Sequence, residues 1–172
     1  QQAEAQGGDA RTEATRTLAA RATLRLAEPL LAAYRQVALV EPLKTTLGRK
    51  KARFEAALAA LGEVAAAGSV EAQRLATTQS AALYQDFGKA LIGSQRPKGL
   101  KKLELEQYNV LLEEQAFPFE EKAIELHETN VKRAADGIYD EWVRNSFTAL
   151  GKLRPARYGK TERAEGVVDA IR

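Results

Sequence analysis

The chain has 172 residues, with 26 Lys and Arg against 23 Asp and Glu, a formal net charge of +3, and neither Cys nor Met. That length suits one domain with a real core and fits two small ones only with difficulty. The lack of Cys excludes disulfides, thiolate metal sites and Cys nucleophiles but leaves the compartment open. No apolar run approaches the ~18 residues that a membrane-spanning helix needs. A start without Met is expected of a fragment or a processed product, in which a removed signal peptide would not be visible.

In chain order, residues 1–8 are polar and end on Gly7-Gly8, as expected of a disordered leader or linker. Asp9 is a candidate N-cap for a first helix over residues 10–39, with Leu18, Ala22, Leu26, Leu30, Tyr34 and Val37 on its apolar face. Pro29 lies inside that helix and predicts a kink or break near Ala27 and Glu28. Pro42 suits the first turn of a second helix reaching Ala67, with Leu43, Leu47, Phe54, Leu58, Leu61 and Ala65 inward. Gly68 then closes that helix and Ser69 caps the next.

The third helix spans residues 70–92, with Leu75, Gln79, Leu83, Phe87, Ala90 and Leu91 on its apolar side. The segment GSQRPKG at 93–99 is the clearest loop and a candidate sub-boundary. A fourth helix starts near Leu100 and carries Leu103, Val110, Leu111 and Leu112; Pro118 either kinks it or begins a fifth. Residues 117–158 suit one long amphipathic helix, or a helical hairpin with a turn at Asp136-Gly137. Ile124, Val131, Ala135, Ile138 and Trp142, spaced 7, 4, 3 and 4, form a coiled-coil-like seam. Arg154-Pro155 ends the regular structure, and residues 161–171 suit a short terminal helix. The expected fold is all-α: an elongated antiparallel helical bundle or stacked helical hairpins, one helical domain over residues 9–157, followed by a basic tail at 158–172.

Residues 117–158 gather the only His, the only Trp, three of five Phe and two of five Tyr. His127 lies beside carboxylates, but Ile124 stands where a Glu-x-x-His metal pattern needs Glu, and a structural or solvent-edge role is the simpler reading. The adjacent pairs Glu113-Glu114 and Glu120-Glu121 point in different directions on a helix and make poor acid–base pairs. Neither a phosphate loop nor a Gly-x-Ser-x-Gly elbow occurs. No catalytic residue, cofactor site or metal site is assigned, and the chain is read as a non-enzyme. Tyr139, Trp142, Phe147 and Tyr158 are the candidate partner-binding residues, because aromatics anchor interfaces as well as cores.

Charge is uneven. Residues 1–97 hold 13 basic against 9 acidic residues, whereas 104–128 hold eight Glu against Lys122. Arg49, Lys50, Lys51 and Arg53 form a candidate basic patch. A solvated helix face explains it better than nucleic acid, since no binding motif surrounds it.

The run Gly137-Ile138-Tyr139-Asp140-Glu141-Trp142-Val143 resembles the turn and second-helix start of a tetratricopeptide repeat, with Ala149 and Pro155 near its later small and proline positions. Residues 119–126, FEEKAIEL, likewise look like that repeat's second helix. Trp142 stands at a position the repeat keeps small, Phe147 and Pro155 are one residue out of register, and no 34-residue period runs along the chain. More broadly, residues 108–158 look like the helical region that follows the repeats in large tetratricopeptide proteins of gliding bacteria, which are cell-envelope motility components. The resemblance implies a scaffold or adaptor module, binding another protein or further repeats of its own chain, in the periplasm or cell envelope; an oligomer is compatible with it. The alternatives are a helical-bundle ligand or metal binder centred on His127, or a weak binder of anionic surfaces or nucleic acid through the basic clusters.

Overall fold

The computed structural model describes residues 12–159. Six α-helices pack against one another: α1 (Glu13–Arg35), α2 (Leu43–Ala66), α3 (Val70–Ile92), α4 (Lys102–Lys132), α5 (Glu141–Leu153) and the single turn α6 (Pro155–Tyr158), with a 3₁₀ turn (Arg133–Asp136) between α4 and α5. The fold is an all-α helical bundle, as the sequence predicts.

Helix starts follow local capping chemistry. Thr12 and Thr15 cap α1 reciprocally, each hydroxyl accepting the other's backbone N–H at 3.2 and 3.0 Å. Asp9, the expected cap, lies outside the described residues, as do residues 1–8 and 161–171. Gly68, at φ 81°, takes the left-handed conformation that ends α2, and Ser69 Oγ accepts from the Ala72 N–H at 3.3 Å to open α3. Neither Pro29 nor Pro118 breaks its helix; α1 and α4 run through them.

α2 packs on both α1 and α3, with α1 the larger neighbour, and α3 packs most extensively on α4. Two clusters fill these layers. One is made of small residues: Ala20 and Ala27 of α1 lie against Val64, Ala72 and Ala76. The other is aromatic, with Phe54 at its centre: its ring lies 4.8 Å from Phe87, 5.0 Å from Tyr84 and 6.0 Å from Phe119 and from Tyr34. Phe87 stacks on Phe119 across the 93–99 loop, so no gap in the packing falls there. The loop itself is tied to the α1–α2 linker through Gln95, whose N–H donates to Leu39 O and whose side chain accepts from the Glu41 N–H, both at 2.9 Å. Gly88 permits the close α3–α4 approach, since a Cβ there would meet Ala116 O at 3.4 Å.

Three expectations are corrected. The inner face of α1 is Ala19, Ala20, Thr23, Ala27, Leu31 and Tyr34, whereas Leu18, Ala22 and Leu26 of the expected face point outward. Burying alanines lets α1 approach its neighbours more closely than leucines would, so the small residues take the interface. Leu47, expected inward on α2, is likewise exposed, and α4 exposes Leu103, Val110 and Leu111. The seam running from Ile124 to Trp142 is not continuous either. α4 ends at Lys132, Ala135 is exposed in the 3₁₀ turn, and α5 turns Val143, Ser146 and Leu150 inward instead.

Candidate functional site

The α4–α5 hairpin holds most of the residues to which the sequence directs attention. Its turn follows from Gly137, whose φ of 77° a side chain would disfavour, with the Ile138 N–H returning to Arg133 O at 3.2 Å. Asp140 then starts α5: its Oδ1 accepts from the Trp142 and Val143 N–H groups, both at 3.1 Å. Its Oδ2 accepts from Nε of Arg74 on α3. One carboxylate therefore caps α5 and ties the hairpin to α3.

Beneath that tie is a buried polar cluster. Asn130 has no exposed surface, and its Nδ2 lies within hydrogen-bonding reach of Thr78 Oγ1 at 2.8 Å, Arg74 O at 3.2 Å and Ser146 Oγ at 3.2 Å. Its Oδ1 accepts from Arg133. Ser146 Oγ also meets His127 Nδ1 at 3.2 Å. When Asn130 donates to Ser146, the serine's own proton can go to Nδ1, and the ring proton then sits on Nε2. Nε2 is buried with no partner among the described residues. Burial pushes the His127 pKa down to about 4, so the ring is neutral at pH 7.

A His–Ser contact is part of a nucleophile–base arrangement; here it lies in the interior. Ser146 is fully buried and His127 nearly so, and the nearest carboxylate of the cluster, Asp140, is engaged at the α5 cap and with Arg74. Among the described residues no group of three or more His, Asp or Glu is placed to hold a metal ion.

On the hairpin's outer surface, three of the four candidate partner-binding aromatics come together. Tyr139 lies 6.0 Å from Phe147, and Phe147 lies 6.4 Å from Tyr158, ring to ring. Trp142 is half-buried, and no ring pairs with it among the described residues; on the helix it falls on the other side of Val143 from Phe147. The row is braced at its end. Tyr158 donates its hydroxyl to Glu128 at 3.3 Å, Arg157 lies over the Tyr158 ring at 5.2 Å, and Arg154 reaches both Glu121 at 3.3 Å and Glu128 at 3.5 Å. Desolvation, helped by the Glu128 charge, raises the Tyr158 pKa and keeps the hydroxyl protonated as a donor.

The basic patch is divided. Lys50 is buried: its ammonium donates to Val37 O at 2.9 Å and Tyr34 O at 3.4 Å and sits 4.2 Å over the Tyr34 ring. It thus serves the C-terminal end of α1, where a cation meets the carbonyl ends, and burial lowers its pKa. Lys51 points elsewhere, toward Glu55 at 4.0 Å. Only Arg49 and Arg53 remain side by side, in an open cleft of about 400 Å³ shared with Gln36, Val37 and Thr46.

Sequence reasoning missed Asn130, Arg74 and Asp140 as a unit. The available signal was Asp140 two residues ahead of Trp142-Val143, an N-cap pattern. It also missed Phe119 as a member of the aromatic core. Compared with known proteins, the chain matches no family model, no curated protein and no solved structure.

Proposed function

We propose that this chain is a non-enzymatic protein–protein interaction module, a scaffold or adaptor that works within a larger repeat-containing protein or assembly. The observation that carries this reading is the surface row Tyr139, Phe147 and Tyr158, of which Tyr139 is 64% exposed. Aromatic side chains bring large, stiff contact area with few rotamers to fix, and they are enriched at binding hot spots. The ion pairs from Arg154 and Arg157 to Glu121 and Glu128 hold the row in place before a partner arrives. The partly buried Asp140–Arg74 tie does the same from below. The partial likeness of residues 137–143 to a tetratricopeptide turn supports the same class of role, and with it a place in the cell envelope.

A photo-crosslinking residue at position 139, introduced into the native chain in its own cells, tests this reading. The expected result is one adduct of defined mass that is lost when Phe147→Ala is added. No adduct, or a smear unchanged by Phe147→Ala, rejects the aromatic row as a partner site.

A further inference from the structure

The two outer helices carry apolar strips of opposite electrostatic setting. On α1, Leu18 and Leu26 are 65% and 64% exposed, two turns apart on the outward side, with Ala22 between them. Arg21 and Arg25 are exposed beside them. On α4, Leu103, Val110 and Phe117 are 66%, 54% and 62% exposed at intervals of seven residues, which places them along one face. Exposed Glu106, Glu113 and Glu114 surround that strip. The α1 leucines are about 12 Å apart and successive α4 positions about 10 Å apart at 1.5 Å rise per residue, so the side chains can interdigitate.

Neither strip suits itself. A two-fold pairing of α4 strips about Val110 brings Glu106 opposite Glu114 and gathers four carboxylates at the axis, while pairing α1 strips gathers arginines. The α1 strip against the α4 strip places arginines beside glutamates and leucines beside Val110 and Phe117. α1 packs mainly on α2 and α4 mainly on α3. Each strip is thus available to another molecule.

We propose that the α4 strip of one copy of this chain binds the α1 strip of the next, a head-to-tail contact. Because the two surfaces differ, the contact is heterologous and the assembly keeps one unused strip at each end. Copies therefore add one after another, and association does not stop at a dimer. With two or three large apolar side chains on each side, a single contact is weak. It becomes effective where copies are held at high local concentration. The inference gives the interaction-module reading a partner, but it uses surfaces separate from the aromatic row, so one can fail without the other.

Sedimentation of the purified chain over a concentration series extending into the millimolar range supplies the test, with three samples. The unmodified chain is expected to rise past twice the monomer mass. The α1 variant Leu18→Glu with Leu26→Glu, and the α4 variant Val110→Ser with Phe117→Ser, are each expected to stay monomeric alone. Mixed in equal amounts, the two variants each retain one intact strip, but those strips, α4 on the first and α1 on the second, still fit each other. The mixture is expected to reach two chains and stop. All four positions are exposed, so unchanged helical circular dichroism verifies folding. A monomeric unmodified chain, a variant that still self-associates as strongly, or a monomeric mixture overturns the proposal. Any of these results leaves the position-139 crosslink as a separate test of the aromatic row.

Discussion

The two halves of α4 invert the usual rule. From residue 103 to 117 the helix exposes Leu103, Val110, Leu111 and Phe117, while from residue 123 to 130 it buries His127 and Asn130. The difference lies in what packs against each half. The second half is covered by α3 and by α5 folding back through Gly137, so polar groups there are desolvated from two sides and must find partners. The first half buries Leu112 and Ala116, the latter against Gly88 of α3, and leaves its opposite side uncovered. Composition along one helix thus says less about burial than the number of neighbours each turn receives.

The largest effect should come from the covered half. Replacing Asn130 with Leu removes the donor that serves Thr78, Arg74 O and Ser146 and leaves Arg133 without its acceptor. We expect a loss of about 3 kcal/mol, read as a lower midpoint in urea unfolding, because stranded buried polar groups cost more than their hydrogen bonds return. A midpoint within experimental error of the parent would mean that water reaches this cluster.

A smaller, pH-dependent effect isolates His127. Its folded pKa of about 4 lies below the ordinary 6.5, so the unfolded chain takes up the proton first. Stability is therefore full above pH 6.5, falls as pH drops from there toward 4, and stops falling from this source once the folded ring also protonates. Between pH 6.5 and 4.5 the loss is on the order of 2–3 kcal/mol, at 1.36 kcal/mol per unit. His127→Asn can keep a polar contact with Ser146 yet cannot titrate, and it should flatten the unfolding midpoint across that window. A parent protein whose midpoint is already flat between pH 6.5 and 4.5 would contradict the neutral, desolvated ring.

What the sequence made legible follows the range of the cause. Local causes could be read: Ser69 and Gly68 bracket the α2–α3 turn, residues 70–92 are the observed α3, and Gly137 is the hairpin turn. The face of α1 was misread because leucines were taken to mark the interface, whereas the packing uses alanines that hydropathy hardly weights. The polar cluster was not legible at all, since Asn130 meets partners 52 and 56 residues earlier in the chain. Lys50 looked like one of four surface cations because nothing adjacent in sequence announces the carbonyls of α1 that it caps.

The smallest effect belongs to the exposed half of α4, and it sharpens the comparison from the other side. Leu103→Ser and Phe117→Ser remove large apolar side chains, a change that in the aromatic core would cost several kcal/mol. Here the parent side chains already face water, so little apolar area returns to solvent on substitution. We expect each to shift the stability of dilute, monomeric protein by no more than about 0.5 kcal/mol. The same two substitutions should nevertheless weaken association at high concentration, because their area is buried only between copies. Stability and assembly would thus separate along one helix: Asn130 and His127 govern the first, Leu103 and Phe117 the second. A loss of 2 kcal/mol or more from either serine variant in dilute solution would place that side chain in the monomer's own core, and the distinction between the two halves of α4 would fail.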